Sequence, residues 1–546
     1  MLEKNQKMKD LLQKLRLFFY FKNPLYNLII EKRLSAKILY SPEEVWRGDS
    51  EIGLKIINGY VNFYGESFNF EKNLWEKNRA SEFWNDKLNS FDWIKDVRAV
   101  GTNKARIFLR NNILEWLKKN KNWNEDSWKK DVLAKRITNL LSNLSFFFNT
   151  AGEEFQIKFA KNLNKQAIYL LNTFNEKKLK DNEIYKVKAS ILASLSFENL
   201  NNNLSFSLKK LHEIISTHIN NDGMHYLRSP SEHFNFLCSL LDIKNYLGTF
   251  RIPIPKDLNS KISEMSSVIK FFRLGNGQLS VFNSYEFIDS SLIEKTIKRA
   301  NSKIKIPSYL NESGFQRVSE NRLILIMDCG TPSIEKTHAG ALSFELSHGF
   351  EKIVVNCGSP YVNNKKWSDA MRSTAAHSTL TIDEINSSDI FFEKDTTTRI
   401  ASVHSERREN EGSYWINAAH SGYEELFGLI HKRNVHIDGK NLIIRGKDCF
   451  MRSNYKTPVL GNPKKFFLRF HIHPSVKLSV TGSKKKVVLK LNNDLGWEFI
   501  CSLPKIQIKD GIYLGGNRLV ERNSHILISD ELSFDKEVKW LFRFIQ

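Results

Sequence analysis

Cysteine is scarce in this chain, and none of its five cysteines sits in a Cys-x-x-Cys pair. Zinc knuckles and disulfide frameworks both depend on cysteines that recur at short, regular spacings. The wide spacing and the odd number therefore exclude either as the organising feature of the fold, and we expect buried free thiols. The cysteines are Cys238, Cys329, Cys357, Cys449 and Cys501.

Long apolar runs are missing as well. The longest one near the start, residues 17–21, has five residues, whereas a membrane-spanning helix needs about 20. Glu3 and Asp10 also do not suit the basic start of a secretory leader. We predict no transmembrane segment and no export signal. The apolar helical stripe within residues 11–19 is expected to pack on the protein body rather than on a membrane surface.

The sequence also lacks a phosphate-binding loop and internal repeats. The glycines of Gly275-Asn276-Gly277 are not followed by the Gly-Lys-Ser/Thr of a nucleotide-binding loop. No segment recurs at a fixed period, as the units of a solenoid do. Neither a phosphate cradle nor a repeat architecture is therefore favoured.

Acidic residues are outnumbered by basic ones, 60 against 82, which gives a net charge of +22. Such an excess suits an anionic partner, namely an acidic glycan, a nucleic acid or a membrane surface. Lysines that simply cover solvated faces explain the excess equally well. Basic runs such as residues 484–486 are short and lie in strand-like sequence. We therefore expect no dedicated nucleic-acid contact.

What the chain does contain is enough apolar material for two folded layers. It has 546 residues, of which 41% are hydrophobic, so more than one core is expected. From about residue 104 to 274 apolar residues recur every three to four positions, which predicts successive helices. Beyond a linker at 300–314, short alternating segments predict strands. We predict a two-domain α+β protein, with a helical domain at 1–300 and an antiparallel β domain at 315–546.

One hairpin is predicted in detail. Apolar and polar residues alternate on both sides of Asp438-Gly439. An Asp-Gly pair accommodates the positive φ angles of a two-residue type I′ turn. We expect the strands of this hairpin to meet there.

The stretch from His338 to residue 380 carries the strongest functional signal. After His338, apolar and polar residues alternate from 342 to 347, the pattern of a half-buried strand. His377 follows in the sequence Ala-His-Ser-Thr. Imidazole has an unperturbed pKa near neutrality, so both side chains are candidates for moving protons. The alternative is that both are satisfied histidines at sheet edges.

A second group of polar side chains lies in the helical part. His225, Tyr226, Arg228, Glu232 and His233 occur within nine residues at the junction of a loop and a helix. Helix N-termini favour anions. The alternative is a polar loop that merely caps the helix.

The motifs resemble the C-terminal domain of the heparinase II/III family of polysaccharide lyases. That family has H-A-D-x-L-S-F-E-L, V-x-N-x-G and A-H-S-T-[LV] in this order, and the corresponding segments here are 338–346, 355–358 and 376–380. The resemblance implies an incomplete (α/α) toroid followed by an antiparallel β-sandwich. It also implies an anionic polysaccharide as the substrate, bound in a cleft between the two, and action in the cell envelope. Because the sequence shows no export signal, the cytoplasm is the alternative location.

The chain departs from the family pattern in three respects. Gly340 stands where relatives have aspartate, and Glu232 stands where relatives have the tyrosine of G-x-[HY]-x-x-x-S-x-x-Y-H. The chain also has no Asn-His pair, which active members often use. These departures favour an alternative function, a non-catalytic glycan-binding or polysaccharide-assembly protein on the same scaffold.

The leading hypothesis is a carbon–oxygen lyase that cleaves a uronate-containing polysaccharide by β-elimination. The reaction needs a group that neutralises the carboxylate, a base and an acid. We predict His233 as the neutraliser or the base and Tyr226 as the acid, with His338 and His377 closing the site from the β domain. A glycoside hydrolase needs two placed carboxylates, and no convincing pair is present.

Further residues are predicted to bind the substrate. Arginine grips a carboxylate with two hydrogen bonds, so Arg228 or Arg372 is the predicted clamp. His420 and Tyr423 belong to a segment that resembles the family's H-D-G-Y. The predicted substrate-binding residues are His225, Arg228, Glu232, Arg372, His420 and Tyr423.

No cofactor is required by this chemistry. Some relatives hold a divalent metal near the position of Gly340, so a zinc ion in the β domain is the alternative that the resemblance offers. We predict no metal, because Gly340 brings no ligand.

Overall fold

The structure is a computed structural model. It describes residues 31–71, 73–75, 80–120, 124, 126–174, 183–283, 286–332, 338–359, 365–390, 398–454, 458–482, 485–492, 495–516, 520–533 and 536–545. The apolar stripe predicted within residues 11–19 lies outside these ranges.

The first part of the described chain is mainly helical, as the apolar spacing predicts. The helices are α1 (Ser50–Ile57), α2 (Glu82–Asn89), α3 (Ile94–Val100), α4 (Asn103–Lys119), α5 (Lys130–Ser142), α6 (Leu144–Phe147), α7 (Glu153–Asn172), α8 (Glu183–Ser196), α9 (Leu204–His218), α10 (Pro230–Thr249), α11 (Lys256–Phe272) and α12 (Ser290–Ala300). A small hairpin of β1 (Tyr60–Phe63) and β2 (Glu66–Asn69) lies among them.

Local sequence explains where several helices begin. Thr102 caps α4 by accepting a hydrogen bond from the backbone N–H of Ala105, and Asp49 caps α1 in the same way from Glu51. Such caps satisfy N–H groups that have no partner within the helix. In α4 the residues at helical spacing, including Leu109, Ile113 and Trp116, are buried.

Beyond residue 308 the described chain is mainly antiparallel sheet. The strands are β3 (Tyr309–Leu310), β4 (Phe315–Glu320), β5 (Leu323–Asp328), β6 (Phe344–His348), β7 (Glu351–Val355), β8 (Leu380–Ile382), β9 (Val403–Asn410), β10 (Ser413–Tyr423), β11 (Leu429–Asp438), β12 (Ile443–Arg452), β13 (Lys465–Ile472), β14 (Lys477–Val480), β15 (Lys486–Lys490), β16 (Gly496–Cys501), β17 (Gln507–Tyr513), β18 (Glu521–Glu531) and β19 (Glu537–Ile545). Two short helices, α13 (Lys365–Arg372) and α14 (Glu424–Phe427), interrupt them.

These strands form two large sheets. An eight-stranded sheet has the order β14-β15-β16-β19-β12-β11-β10-β9, and a nine-stranded sheet has the order β17-β18-β13-β7-β6-β5-β4-β3, with β8 paired to β13. Their inner faces share one hydrophobic core. In it Phe344 of the nine-stranded sheet stacks on Trp540 of the eight-stranded sheet with ring centroids 5.7 Å apart. Each such fully buried side chain contributes about 1.5–3 kcal/mol. The predicted class, helices followed by an antiparallel sandwich, is confirmed.

The details of two predicted strands differ. The strand that follows His338 begins at Phe344, because Leu342 adopts φ +62° and its N–H donates to the carbonyl of Asp328. All five residues of β6 are buried, so the predicted half-exposed strand is wrong. The reason is that Glu345, on the face away from the core, accepts a hydrogen bond from the N–H of Val281 in an overlying loop.

The predicted hairpin exists, but its turn is longer than predicted. Asp438 pairs with Ile443, so four residues connect β11 to β12. The positive φ angle falls on Leu442, at +53°, and the Asp438 carboxylate accepts a hydrogen bond from the N–H of Asn441. A side chain that satisfies the turn internally removes the need for a two-residue loop.

The chain divides into two compact units. One comprises Met1–Ser216 and Ser239–Leu258, and the other Thr217–Cys238 and Asn259–Gln546. Every site residue predicted from the sequence belongs to the second unit. The predicted boundary at residues 300–314 stays a prediction.

Candidate active site

His225 and Tyr226 lie in the loop between α9 and α10. The loop is closed by a bridge between Ile219 and His225 and by a hydrogen bond from the N–H of Tyr226 to the carbonyl of His218. The half-buried Tyr226 ring packs against His218 and His225, with centroids 5.1 and 4.9 Å away. His218 was not predicted from the sequence, since nothing in its helical context marks it. The three rings form one aromatic cluster.

His233 lies in the first turn of α10 and is fully buried. Its Nδ1 accepts a hydrogen bond from the N–H of His225 at 3.1 Å, and its Nε2 donates to the carbonyl of Met265 at 2.9 Å. These partners fix a neutral ring with the proton on Nε2. Burial lowers its pKa to about 4. In this arrangement His233 holds the loop that carries His225.

Arg228 is buried and pairs with the carboxylate of Asp328. Its Nε donates to the carbonyl of Ser313 at 2.8 Å and its Nη1 to that of Thr331 at 3.1 Å. Its own backbone has φ +56°, a strained conformation that surrounding contacts must hold in place. Arg228 therefore anchors the loop to the end of β5.

Glu232 is half-buried in the first turn of α10. Its N–H donates weakly to Oγ of Ser229 at 3.4 Å. A carboxylate at this place interacts favourably with the positive end of the helix dipole.

His338 and His377 are brought together in the second group. Nδ1 of His338 lies 3.1 Å from Nε2 of His377, and Nδ1 of His377 lies 2.7 Å from the carbonyl of Ser373. Because a carbonyl only accepts, His377 carries its proton on Nδ1 and accepts from His338. His338 then carries its proton on Nδ1 and a lone pair on Nε2. Both rings are buried.

Both rings are neutral near neutral pH. Burial lowers the pKa of His338 well below its usual 6.5, and the nearby His377 and Arg372 lower it further. Burial lowers the pKa of His377 to about 4. Arg372 is half-buried, and its carbonyl accepts a hydrogen bond from the N–H of Ala339 at 2.8 Å. Among the two predicted clamps, Arg372 is thus the one beside His338.

The two groups are joined through Asp328. Its side chain pairs with Arg228 of the first group, and its carbonyl accepts from the N–H of Leu342, four residues after His338. Backbone hydrogen bonds and a buried ion pair therefore couple the loop of Tyr226 to the segment that begins at His338.

His420 and Tyr423 are buried, and their polar atoms form hydrogen bonds inside the β domain. Nε2 of His420 lies 3.1 Å from Nδ1 of His431, whose Nε2 lies 2.7 Å from the carboxylate of Asp448. The Tyr423 hydroxyl donates to backbone carbonyls, including that of Leu380 at 3.2 Å. Burial raises the pKa of Tyr423, and all four side chains are buried. Their predicted contact with substrate stays a prediction.

Asp448 and Arg433 form the buried ion pair beneath this segment. Arg433 Nε donates to Asp448 at 2.8 Å, and its Nη1 donates to the carbonyls of Leu342 at 2.8 Å and Ser378 at 2.9 Å. Those carbonyls belong to the segments that carry His338 and His377. Sequence reasoning did not find this pair, because alternating residues on two strands look like ordinary surface charges.

Glu345 of the family-like motif also proves to be structural. It is buried, and its carboxylate accepts from the N–H of Val281 at 3.0 Å and of Asn356 at 2.9 Å. Burial raises its pKa to about 7, although the charge of Lys352 opposes this. The sequence identified the motif, but its pattern did not reveal these two hydrogen bonds to Glu345.

A metal does not fit the two histidines. Three of their four ring nitrogens are hydrogen-bonded within the pair or to the carbonyl of Ser373, and Gly340 offers no side-chain ligand. Across the described ranges no group of three or more His, Cys, Asp or Glu side chains is arranged to hold a metal ion. Three or more protein ligands are usual for zinc.

A side chain at position 340 should disturb His377. A Cβ built there lies 2.6 Å from Cδ2 of the His377 ring, and the ring cannot move without losing its hydrogen bonds. We expect Gly340→Ala to lower the free energy of unfolding by about 1–3 kcal/mol, the usual cost of overpacking. Urea unfolding measures this loss.

The matched control is Gly248→Ala, since a Cβ there meets nothing within 4 Å. In the last turn of α10 this change should be neutral or stabilising. Equal stability of wild type and Gly340→Ala would contradict the close packing of Gly340 on His377.

Acidification should destabilise the protein through His233 and His377. Burial lowers each pKa to about 4, from the usual 6.5. Between these values the unfolded chain binds protons that the folded chain does not, so the free energy of unfolding falls as the pH falls. Each ring should remove about 1.4 kcal/mol per pH unit in that window. Urea unfolding at several pH values from neutral to about 5 measures the loss.

His233→Gln can still donate to the carbonyl of Met265 but does not titrate. Its loss of stability on acidification to about pH 5 should be smaller than that of wild type by about 2 kcal/mol. His404→Gln, which replaces a ring that is 82% exposed, should keep the wild-type dependence. An unchanged pH dependence in His233→Gln would show that His233 is not the source.

No helix in the described part of the chain is both long and apolar enough to cross a membrane.

The fold is similar to that of known polysaccharide lyases. A crystal structure of heparinase III matches with a TM-score of 0.74 and 14% identity, covering 92% of this chain and 85% of that one. The heparan sulfate lyase HepC of Pedobacter heparinus matches with a TM-score of 0.62 and 14% identity, covering 91% and 82%.

Sequence profiles of the heparinase II/III family also match the chain. The profile of the heparinase II/III N-terminus matches residues 54–304, and that of the heparinase II/III-like C-terminal domain matches residues 305–541. The chain belongs to the heparinase II/III family. FtsZ-localized protein C of Caulobacter vibrioides (strain NA1000 / CB15N) is 25% identical over 467 residues, 82% of this chain and 80% of that protein.

Proposed function

We propose that the protein is a carbon–oxygen lyase that cleaves a uronate-containing polysaccharide by β-elimination. The observation that carries the proposal is the orientation of His338 by His377 and Ser373. This relay keeps His338 neutral and leaves the lone pair on Nε2, which is the form a general base must have. Family membership and the lyase-like fold support the same chemistry.

The reaction balances without a cofactor. The base removes the proton α to the uronate carboxylate, and the electron pair of that C–H bond forms a carbon–carbon double bond. The bond from the β carbon to the glycosidic oxygen breaks, and an acid protonates the departing oxygen. A cation near the carboxylate stabilises the charge that develops there.

We assign these roles to residues of both groups. His338 is the base, Tyr226 is the acid and Arg372 neutralises the carboxylate. His377 positions His338, while His233 and Arg228 position the loop of Tyr226, because their polar atoms are used inside the protein. His225 and Glu232 are proposed to contact the sugar next to Tyr226.

A panel of polymers tests the proposal. The protein is incubated with heparan sulfate, hyaluronan, chondroitin and alginate, and the ultraviolet absorbance of the unsaturated product is followed. We expect absorbance to rise with at least one of them, together with chain shortening. No rise in absorbance with any polymer of the panel would refute the proposed β-elimination.

The second candidate is a non-catalytic glycan-binding or polysaccharide-assembly protein. Glu232 favours it, since a carboxylate occupies the place of the family's tyrosine. The name of the Caulobacter relative associates that protein with FtsZ and mentions no activity. Binding of a panel polymer without any unsaturated product would support this candidate.

We place the proposed activity in the cell envelope, because its polymeric substrate class is found there in the family that the sequence resembles. Fractionation of cells that produce the tagged chain tests the location. We expect to recover the tagged protein in the envelope fraction, together with its polysaccharide. Recovery of the protein in another fraction would overturn the assignment.

A further inference from the structure

The outer face of the eight-stranded sheet carries an aromatic and cationic row. Trp415, His436 and Arg445 are direct cross-strand partners on β10, β11 and β12. On β9 the row is extended by Arg408, which pairs with Trp415. Neighbouring strands lie about 4.8 Å apart, so the row from Trp415 to Arg445 spans roughly 10 Å, about two sugar units.

A second row runs beside the first. Asn417 pairs with Asn434, which pairs with Lys447, which pairs with Lys539. Side chains alternate between the two faces of each strand, and residues such as Val435 point into the core. Both rows therefore lie on the face opposite the core. Both rows, apart from Arg408, line one open cavity of about 550 Å³.

Trp415 provides a flat apolar surface on this face. Its ring is 37% exposed and stacks on His436, with centroids 4.9 Å apart and planes 25° from parallel. Stacking holds the indole flat against the sheet. An aromatic ring presented in this way packs against the apolar face of a sugar, while polar groups around it fix the sugar's orientation.

Cations surround that surface. Arg408, Arg445 and Lys539 are exposed. Lys447 pairs with Glu537 at 2.7 Å, and Lys539 lies 3.5 Å from the same carboxylate. Glu406, which pairs with Asn417, and Asp438, whose charge interacts with Arg445, are the further acidic residues on this face. The four cations Arg408, Arg445, Lys447 and Lys539 therefore face three carboxylates, and the face keeps a small positive excess. Positive charge of this kind attracts carboxylate or sulfate groups.

Amides supply hydrogen bonds between the ring and the cations. Asn417 and Asn434 are half-buried and adjacent. Oδ1 of Asn434 is buried and has no hydrogen-bond partner among the described residues, so a small shift of the side chain would let a ligand hydroxyl satisfy it. Amide groups both donate and accept, which suits the hydroxyl groups of a sugar.

We propose that this face binds an anionic oligosaccharide chain, separately from the candidate active site. Trp415 stacks on one sugar ring, Arg445 and Lys539 hold its acidic groups, and Asn417 and Asn434 bond its hydroxyls. The substrate class rests on the proposed function. The binding face itself would hold a polymer near the protein between successive cleavages.

Calorimetric titration of the full chain tests the site, with heparan sulfate and alginate oligosaccharides as probes and dextran as the neutral probe. Trp415→Ala and Arg445→Gln should each weaken binding of an anionic probe about tenfold, or about 1.4 kcal/mol. Trp415→Phe should retain most of the affinity, because it keeps an aromatic face. Raising the salt concentration should weaken binding, since the contacts are exposed.

Two variants outside the face serve as controls. Phe350→Ala removes another exposed ring and Arg522→Gln another exposed cation of the same unit. Both should bind as wild type does. Any of three results would overturn the proposal. These are unchanged affinity in Trp415→Ala and Arg445→Gln, no binding of either anionic probe, and binding of dextran as tight as that of the anionic probes.

Two further outcomes distinguish a glycan-binding face from a nucleic-acid surface and from the active site. Double-stranded DNA that binds as tightly, with the same dependence on Trp415, would overturn a glycan site in favour of a nucleic-acid surface. On short substrates Trp415→Ala should form product at the wild-type rate. If wild type forms no product but the binding results hold, the lyase proposal fails and the binding face stands.

Discussion

Replacing His338 with asparagine should lower the rate of product formation by about 10²–10⁴-fold, the usual contribution of a general base. Asparagine retains a donor that can reach Nε2 of His377, so the relay through Ser373 stays in place. It has no basic nitrogen to remove the proton next to the carboxylate. Initial rates on the best polymer of the panel, measured by ultraviolet absorbance, give the ratio.

The loss should appear in kcat rather than in KM, because the base acts in the transition state. His404→Asn changes an exposed histidine of β9 and should keep the wild-type rate. Unfolding curves should show that His338→Asn remains folded. Full activity in His338→Asn would exclude His338 as the base and return the role to another residue.

Replacing Asp448 with alanine should cost about 3–5 kcal/mol of unfolding free energy, because it leaves the buried charge of Arg433 without a partner. The carboxylate also accepts hydrogen bonds from His431 at 2.7 Å and from Trp540 at 2.7 Å. Burial opposes its ionisation, but the charge of Arg433 and the hydrogen bond from His431 outweigh burial and hold the pKa of Asp448 well below its usual range. Urea unfolding at neutral pH measures the cost.

The effect should reach the candidate site as well. Arg433 holds the carbonyls of Leu342 and Ser378, next to the segments of His338 and His377. Product formation by any folded fraction of Asp448→Ala should therefore fall. Glu409→Ala, which removes a carboxylate that is 56% exposed and paired with Arg407, should cost less than about 1 kcal/mol. A similar small cost for Asp448→Ala would show that the buried network is not a stabilising unit.

Several structural features followed directly from the sequence. Helical spacing predicted successive helices from about residue 104 to 274, and α4 to α11 lie in that range, since an amphipathic stripe specifies a helix locally. The contact between His338 and His377 was anticipated only as two histidines that face one site. The motif placed them in order, whereas the hydrogen bond between their rings depends on loops that meet in three dimensions.

Other predictions depended on surroundings that the sequence does not display. The strand after His338 was expected to be half-exposed, yet a loop more than 60 residues earlier covers its outer face through Glu345. Arg228 was expected to grip a substrate, yet Asp328, one hundred residues away, takes up its guanidinium group. In both cases a distant segment supplies the partner.

The sequence by itself determined the class of the protein: apolar periods of three to four residues and of two residues, read along one chain, specify helices followed by antiparallel strands. It also determined the order of the histidine motifs. Only the tertiary structure decided which polar side chains are buried as supports and which remain half-exposed, as Tyr226 and Arg372 are. The physical reason is that burial and hydrogen-bond partners are set by contacts between distant segments, and these contacts fix the proton positions and the pKa values of the site.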